Sequence, residues 1–170
     1  RKDLFRLGYT TTNSLSISGN NDRGSVRASL THTKNNWILP NTGFQRVTAT
    51  LSGQQQVSRL LSLNYRTTYT WRKSDNLPSV GYSSNSIAYF LIFQNPNIDL
   101  DWYRTMWIKG EENVTQSQPF SKNIGNPFVT LYECVNPTEK HSNISMLSAN
   151  LKLNNHFDFM IRSAFQMEND

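Results

Sequence analysis

The sequence predicts an all-β protein made of antiparallel up-and-down strands. Apolar and polar residues alternate with period two in six segments, which is typical of strands that have one apolar face. Turn-forming residues separate most of these segments. The composition agrees, because Ser, Thr, Asn and aromatic residues are abundant while only 17% of the residues are charged.

The first two segments predict a β-hairpin. Residues 9–19 and 25–33 alternate, and the stretch NNDRG between them has the composition of a tight turn. We expect Gly24 to allow a left-handed backbone conformation in that turn.

The next two segments predict a second pair of strands. A connection of about ten residues precedes the third strand at residues 44–56. A tight turn at Val57–Arg59 leads to the fourth strand, LLSLNYRTTYTWRK, in which Leu, Tyr and Trp alternate with polar residues. The last two strands are predicted at residues 142–154 and 157–168, with the turn NNH between them.

The long connection from Ser74 to about Glu139 has no sustained period and contains five of the six prolines. A helix is predicted only at Ser84–Gln94, where a serine cap precedes the apolar run and Pro96 ends it. The apolar run Ile87–Phe93 has seven residues, which is far too short for a helical membrane span.

The lengths of the connections bear on what the strands build. They run short, medium, short, very long and short, so the longer ones all leave from the same end of the sheet. Transmembrane β-barrels have this asymmetry, and Tyr65, Tyr69 and Trp71 lie where an aromatic girdle is expected. A water-soluble β-sandwich shows the same alternation with its apolar face inward, so both interpretations stay open, with the barrel favoured.

Several other classes of function find little support. The formal charge of +5 is spread along the chain without a basic stripe, so we expect no nucleic-acid binding. Cys134 is the only cysteine, and the sequence contains no zinc-binding motif. The alternating oxygens of Asn95, Asn97, Asp99 and Asp101 would suit Ca²⁺, but a turn followed by an extended segment explains them better. No catalytic signature is present, and we expect no enzymatic activity.

Three longer segments of the sequence resemble a known family. The segment FRLGYTTTNSLSISGNNDRGSVRASLTHTKNNWILPNTGFQR resembles the early barrel of the SusC/RagA family of TonB-dependent outer-membrane transporters. KSDNLPSVGYSSNSIAYFLIFQNPNIDLDWYR looks like the following extracellular loop of that family, and NPFVTLYECVNPTEKH is similar to the return of that loop. The matching residues of the first segment are Ser16, Ser18, Gly19, Pro40, Asn41, Thr42, Gly43 and Arg46.

The resemblance implies a fold and a function. Residues 1–170 would be a partial barrel domain of about six strands from a transmembrane barrel of the 22-stranded type, with a long extracellular loop at roughly 73–140. The intact protein would import a glycan or a peptide across the outer membrane, with a SusD-like lipoprotein as partner and with energy supplied through TonB. A plug domain and a TonB box would lie outside this chain, in a larger protein.

Candidate ligand-binding residues lie in the long loop. Sugars stack on Tyr and Trp rings, and the stretch DLDWY is expected to face the ligand or the lipoprotein. Packing of the loop on itself is the alternative role for these rings. A soluble carbohydrate-binding β-sandwich and a surface adhesin remain the alternative functions. The candidates are Tyr82, Tyr89, Asp99, Asp101, Trp102, Tyr103 and Trp107.

Overall fold

The computed structural model describes residues 4–83 and 86–170, and its β-strands form one six-stranded antiparallel sheet in the order β1-β2-β3-β4-β5-β6. Each strand pairs with the next one along the chain, so the predicted all-β, up-and-down arrangement is confirmed. The strands are β1 Tyr9–Asn21, β2 Gly24–Asn36, β3 Gly43–Gln56, β4 Leu61–Asn76, β5 Thr138–Lys152 and β6 Asp158–Asn169.

Several strands extend further than their alternating segments predict. β2 and β3 together leave only residues 37–42 between them, where the sequence predicts a connection of about ten residues. The pairing continues to this end because the Trp37 amide donates to the Thr42 carbonyl at 3.3 Å. The connection between β4 and β5 covers residues 77–137, close to the predicted long loop.

One face of the sheet is polar. Pairs of hydroxyl side chains lie across neighbouring strands on this face, such as Ser14 and Thr31 at 3.0 Å and Thr50 and Thr68 at 3.3 Å. Because successive side chains of a strand point to opposite faces, these pairs assign the even-numbered residues of β1, β3 and β4 to the polar face.

The opposite face is apolar and exposed. Leu15, Ile17, Leu30 and Leu51 line one shallow depression on it. Ile17 is 74% exposed and Leu51 is 41% exposed. The register continues this face onto the last two strands, where Leu151 lies opposite Phe159. The sheet therefore has the two-faced character that the alternation predicts.

The first tight turn corrects the role predicted for Gly24. The glycines with positive φ are Gly43, Gly81 and Gly110, so Gly24 does not adopt the left-handed conformation. A Cβ atom on Gly24 would instead lie 2.5 Å from the carbonyl oxygen of Gln54. Glycine is needed here because the neighbouring strand approaches closely.

The chain divides into two compact units. The first unit contains residues 1–10, 35–44 and 74–138, and the second contains residues 11–34, 45–73 and 139–170. The second unit consists of the sheet and its tight turns. The first unit contains the principal buried apolar cluster of the described residues, which is formed by Leu4, Ile87, Phe90, Leu100, Tyr103, Ile124, Phe128 and Leu131.

Three short helical segments lie in the long connection. α1 covers Ile87–Phe93, and the side chain of its N-cap residue Ser86 accepts the Tyr89 amide, so the predicted serine cap is confirmed. The predicted helix begins earlier, but Ser84 and Asn85 lie outside the described residues. Within residues 4–83 and 86–170, no helix combines the length and the apolar character needed to cross a membrane.

The prediction of a helix only at Ser84–Gln94 is wrong. A 3₁₀ helix covers Leu100–Tyr103, and a second α-helix, α2, covers Pro127–Tyr132. The Asn126 side chain caps α2, and Pro127 occupies its first turn, a position that suits proline because that amide has no partner within the helix.

Candidate functional site

The long loop and the residues that hold it form the candidate site, and the PNTG turn is its first anchor. Asn41 has a φ of 54° and lies in the left-handed region, which asparagine tolerates better than most residues. Its Nδ2 donates to the Leu131 carbonyl at 2.9 Å. Thr42 is buried, and its hydroxyl donates to the Leu39 carbonyl at 2.8 Å.

Further hydrogen bonds hold the carbonyl groups of this turn. The Arg6 guanidinium donates to the Thr42 carbonyl at 2.8 Å and to the Trp37 carbonyl at 3.1 Å. The buried Ser74 hydroxyl donates to the Gly43 carbonyl at 2.5 Å. The turn is therefore fixed by side chains from two separate parts of the chain, in addition to its own Thr42.

The carbonyl of Leu131, in the last turn of α2, is the meeting point of two asparagines. The last carbonyls of a helix have no partner within it, so an external donor is needed. Asn41 supplies one donor, and the buried Asn76 supplies a second at 3.2 Å. The Oδ1 of Asn76 also accepts the Asn136 amide at 3.1 Å, which holds the chain where it leaves the loop.

Asn126 organises the interior of the loop. It is fully buried, and its Nδ2 donates to the carbonyls of Tyr103 and Ser117 at 2.8 and 2.9 Å. Its Oδ1 accepts the backbone amide of Phe128 at 2.9 Å. The backbone amide of Asn126 donates to the Gln116 side chain at 2.9 Å. One side chain thus caps α2 and joins it to two neighbouring loop segments.

Two of the predicted ligand-binding rings belong to one aromatic cluster. Tyr82 contacts Tyr89 and Phe93 edge-on, with ring centroids 5.4 and 5.5 Å apart, and Tyr89 and Phe93 are 4.6 Å apart. Tyr82 is 77% exposed, so much of its ring is open to solvent. The structure therefore brings Tyr82 and Tyr89 together at the surface of the loop.

Trp102 belongs to a second exposed pair. Its ring stacks on Phe120 with a centroid distance of 4.8 Å and an interplanar angle of 27°. Trp102 is 54% exposed, and Phe120 is also exposed. Sequence reasoning missed Phe120, because an isolated phenylalanine after Pro119 in a stretch without period carries no signal for its partner.

Tyr103 does not reach the surface, so its predicted role in facing a ligand is not supported. Its side chain is fully buried and packs edge-on against Phe90 at a centroid distance of 5.3 Å. Burial raises the pKa of the Tyr103 hydroxyl above its usual value. The hydroxyl has no hydrogen-bond partner among the described residues, and the ring belongs to the buried apolar cluster of the loop.

The acidic residues of the candidate site have local structural roles. The Asp99 side chain caps the 3₁₀ helix by accepting the Asp101 amide at 3.0 Å. Asp101 forms an ion pair of 2.5 Å with Arg104, and the Arg104 guanidinium lies 5.2 Å from the centroid of the Phe128 ring. These contacts fix the 3₁₀ helix on the loop core.

The oxygens that would suit Ca²⁺ are also used locally. Asn95 accepts the Asn97 amide at 3.1 Å, and Asp99 makes the same kind of turn four residues further on. In the described part of the chain, no three His, Cys, Asp or Glu residues are grouped so that they could hold a metal ion.

Trp107 lies in a small antiparallel bridge rather than in either aromatic group. It is half-buried and pairs with Gln116, and the Ile108 amide donates to the Thr115 carbonyl at 3.0 Å. The bridge places an exposed turn between its two segments, in which Asn113 has a φ of 64°.

No model of a known protein family matches the chain, and no curated protein is significantly similar to it.

Proposed function

We propose that this chain is a wall segment of a TonB-dependent outer-membrane transporter that imports a glycan or a peptide with a SusD-like lipoprotein partner. The apolar face of the sheet would contact lipid, the polar face would line the lumen, and the long loop would lie on the extracellular side. The chain would serve binding and transport without catalysis. The resemblance of its loop and turn sequences to the SusC/RagA family supports the same proposal.

One combined observation carries the proposal. The sheet has an apolar face and a polar face, and its tight and longer connections alternate along the chain. Leu15, Ile17 and Leu51 are exposed on one face, while hydroxyl pairs occupy the other. The tight connections join β1 to β2, β3 to β4 and β5 to β6, and the longer connections alternate with them. Transmembrane barrels combine these features in the same way.

The β-sandwich alternative finds less support. A sandwich buries its apolar face against a second sheet, but the described residues contain a single sheet whose apolar face is exposed. The exposed rings of Tyr82 and Trp102 suit contact with a ligand in either type of protein. They support a binding surface on the loop and do not by themselves favour transport.

Lipid contact is tested with cysteine-linked fluorophores in the intact protein that carries this chain, reconstituted in liposomes. The native Cys134 is exposed, so Cys134→Ser is introduced first. A fluorophore at Leu51→Cys should be quenched by lipids that carry a quencher in their acyl chains, whereas one at Thr50→Cys should be quenched by a water-soluble agent. Leu51 and Thr50 are neighbours on opposite faces, which makes them a matched pair.

The proteoliposomes test the transmembrane wall, and intact cells test TonB-dependent import. A Leu51 probe reached only by the water-soluble quencher would refute the transmembrane wall. Cells that produce the protein should accumulate the oligosaccharide or peptide only while the inner membrane is energised. Accumulation that persists after the proton gradient is collapsed would refute TonB-dependent import.

A further inference from the structure

The polar face of the sheet is strongly basic on β2, β3 and β4. The face contains seven Lys and Arg residues, namely Arg27, Arg46, Arg66, Arg72, Lys140, Lys152 and Arg162. The only acid between residues 11 and 73 is Asp22, which lies in the first tight turn. The four arginines of β2, β3 and β4 therefore share a face on which those strands place no carboxylate.

The acids of this face are Asp158 and Glu168 in β6 and Asp170 directly after it. Lys140 forms an ion pair of 2.6 Å with Asp170, and Lys152 lies opposite Asp158 in the register. Arg27 and Arg66 form no ion pair among the described residues, and both side chains are exposed. The excess of positive charge is therefore concentrated on β2 to β4.

The register brings Arg27 and Arg66 to the same level of the sheet. The Gln56 amide donates to the Arg23 carbonyl at 2.6 Å, and four residues further along each strand Ser52 lies beside Arg27. The Thr50–Thr68 contact places Ser52 beside Arg66 in the same way. The two arginines flank Ser52 from β2 and β4, with their backbones about 10 Å apart.

A shallow depression lies at this position. It has a volume of about 560 Å³, and its lining includes Arg27, Arg66, Ser18, Ser52, Asn20 and Gln54. Hydroxyl and amide side chains of this kind both donate and accept hydrogen bonds, and arginine forks bind carboxylate or sulfate groups with two parallel hydrogen bonds. The depression thus combines neutral hydrogen-bonding groups with two cations.

We infer that this depression binds an acidic oligosaccharide, one whose sugar units carry carboxylate or sulfate groups. The hydroxyl-rich part of such a ligand matches the Ser, Asn and Gln side chains, and its anionic groups match Arg27 and Arg66. The inference rests on the proposed function, and it narrows the imported ligand to the acidic members of the glycan class. An acidic protein surface matches the charge but not the density of small hydroxyl side chains.

The test compares two probes of equal length on the intact detergent-solubilised protein by titration calorimetry. The acidic probe is hexagalacturonate and the neutral probe is maltohexaose. At low salt the acidic probe should bind at least tenfold more tightly, and its advantage should shrink as salt is raised, because the contacts are charge-assisted. The double variant Arg27→Gln/Arg66→Gln should lose at least tenfold in affinity for hexagalacturonate.

Arg59→Gln is the matched control, because Arg59 lies in the tight turn between β3 and β4 and does not line this depression. It should bind hexagalacturonate like the unchanged protein. Equal affinity for the two probes would overturn the inference, as would unchanged hexagalacturonate binding by the double variant or binding of neither probe. If the Leu51 probe is lipid-exposed and any of these three results is found, the acidic-ligand inference fails while the membrane wall stands.

Discussion

At the scale of single residues, asparagine side chains hold the long loop together. Asn41, Asn76 and Asn126 each bind backbone groups that lack a partner in regular structure, and two of them meet at the Leu131 carbonyl. An amide can donate and accept at once, so one buried side chain satisfies several backbone groups. Asparagine, which occurs in the predicted turns NNDRG and NNH, therefore also supplies hydrogen bonds inside the loop.

Tyr103 gives the residue-scale prediction. Tyr103→Phe removes a buried hydroxyl without a partner and should leave the loop unchanged or stabilise it by about 1 kcal/mol. Tyr103→Ala leaves a cavity among Phe90 and its neighbours and should cost about 3–5 kcal/mol. Hydrogen exchange of the amides in α2 measures both changes, and a loop weakened by the phenylalanine would show that the hydroxyl has a partner.

The pH dependence of the same residue has a defined sign. Burial raises the pKa of Tyr103 in the folded loop. The neutral side chain therefore contributes fully to the stability of the loop below the unfolded pKa of about 10. The contribution is lost as the pH rises through the folded pKa. The hydrogen-exchange protection of the amides in α2 should therefore fall at alkaline pH. Tyr103→Phe should remove the part of this fall that comes from ionisation of Tyr103.

At the scale of elements, close packing of strands sets the tight connections. Gly24 follows the first turn, where the backbone of Gln54 in β3 leaves no room for a side chain. Gly19 lies near the end of β1 and has nothing within 4 Å of an added Cβ atom. The two glycines therefore differ in function although both flank the same turn.

This difference predicts opposite outcomes for one substitution. Gly24→Ala forces β2 and β3 apart and should destabilise the sheet by about 1–3 kcal/mol. Gly19→Ala should be neutral or stabilise it slightly, because alanine restricts the unfolded chain. Urea denaturation of the detergent-solubilised protein measures both, and equal effects would contradict the close approach.

The elements also show what a single sequence can predict. Long period-two segments predict all six strands, because nine or more alternating residues leave little ambiguity. α2 covers only six residues, Pro127–Tyr132, which is less than two helical turns and too short to show a period. The pair Asn126 and Pro127 was the available signal, since a cap followed by proline marks a helix start.

Residue exposure in the site was harder to predict than the strands. Trp102 and Tyr103 are adjacent in a 3₁₀ helix of four residues, and one ring is exposed while the other is buried. Four residues contain little more than one turn, so no pattern separates the two faces. Asp99 and Asp101 likewise attract attention as acids, whereas their roles as a cap and an ion-pair partner emerge only from backbone geometry.

At the scale of the whole molecule, the exposed apolar face of the sheet has a measurable consequence. Leu51→Arg places a charge on that face and should reduce insertion into an outer membrane by about 2–4 kcal/mol if the residue lies near the bilayer midplane. Thr48→Arg lies on the polar face and should be tolerated. The fraction of each variant that resists extraction from isolated membranes by alkaline carbonate reports the difference, and equal extraction would argue against lipid contact.

The asparagine contacts at Leu131 have a further consequence for the integrity of the loop. Glu111 and Glu112 lie in an exposed turn. Asn41, Asn76 and Tyr103 precede this turn in the sequence, and α2 follows it. Hydrogen bonds from Asn41 and Asn76 to Leu131, and from Asn126 to Tyr103, cross this point without depending on it. A protease that cuts between Glu111 and Glu112 would divide the polypeptide into two fragments that remain folded around each other.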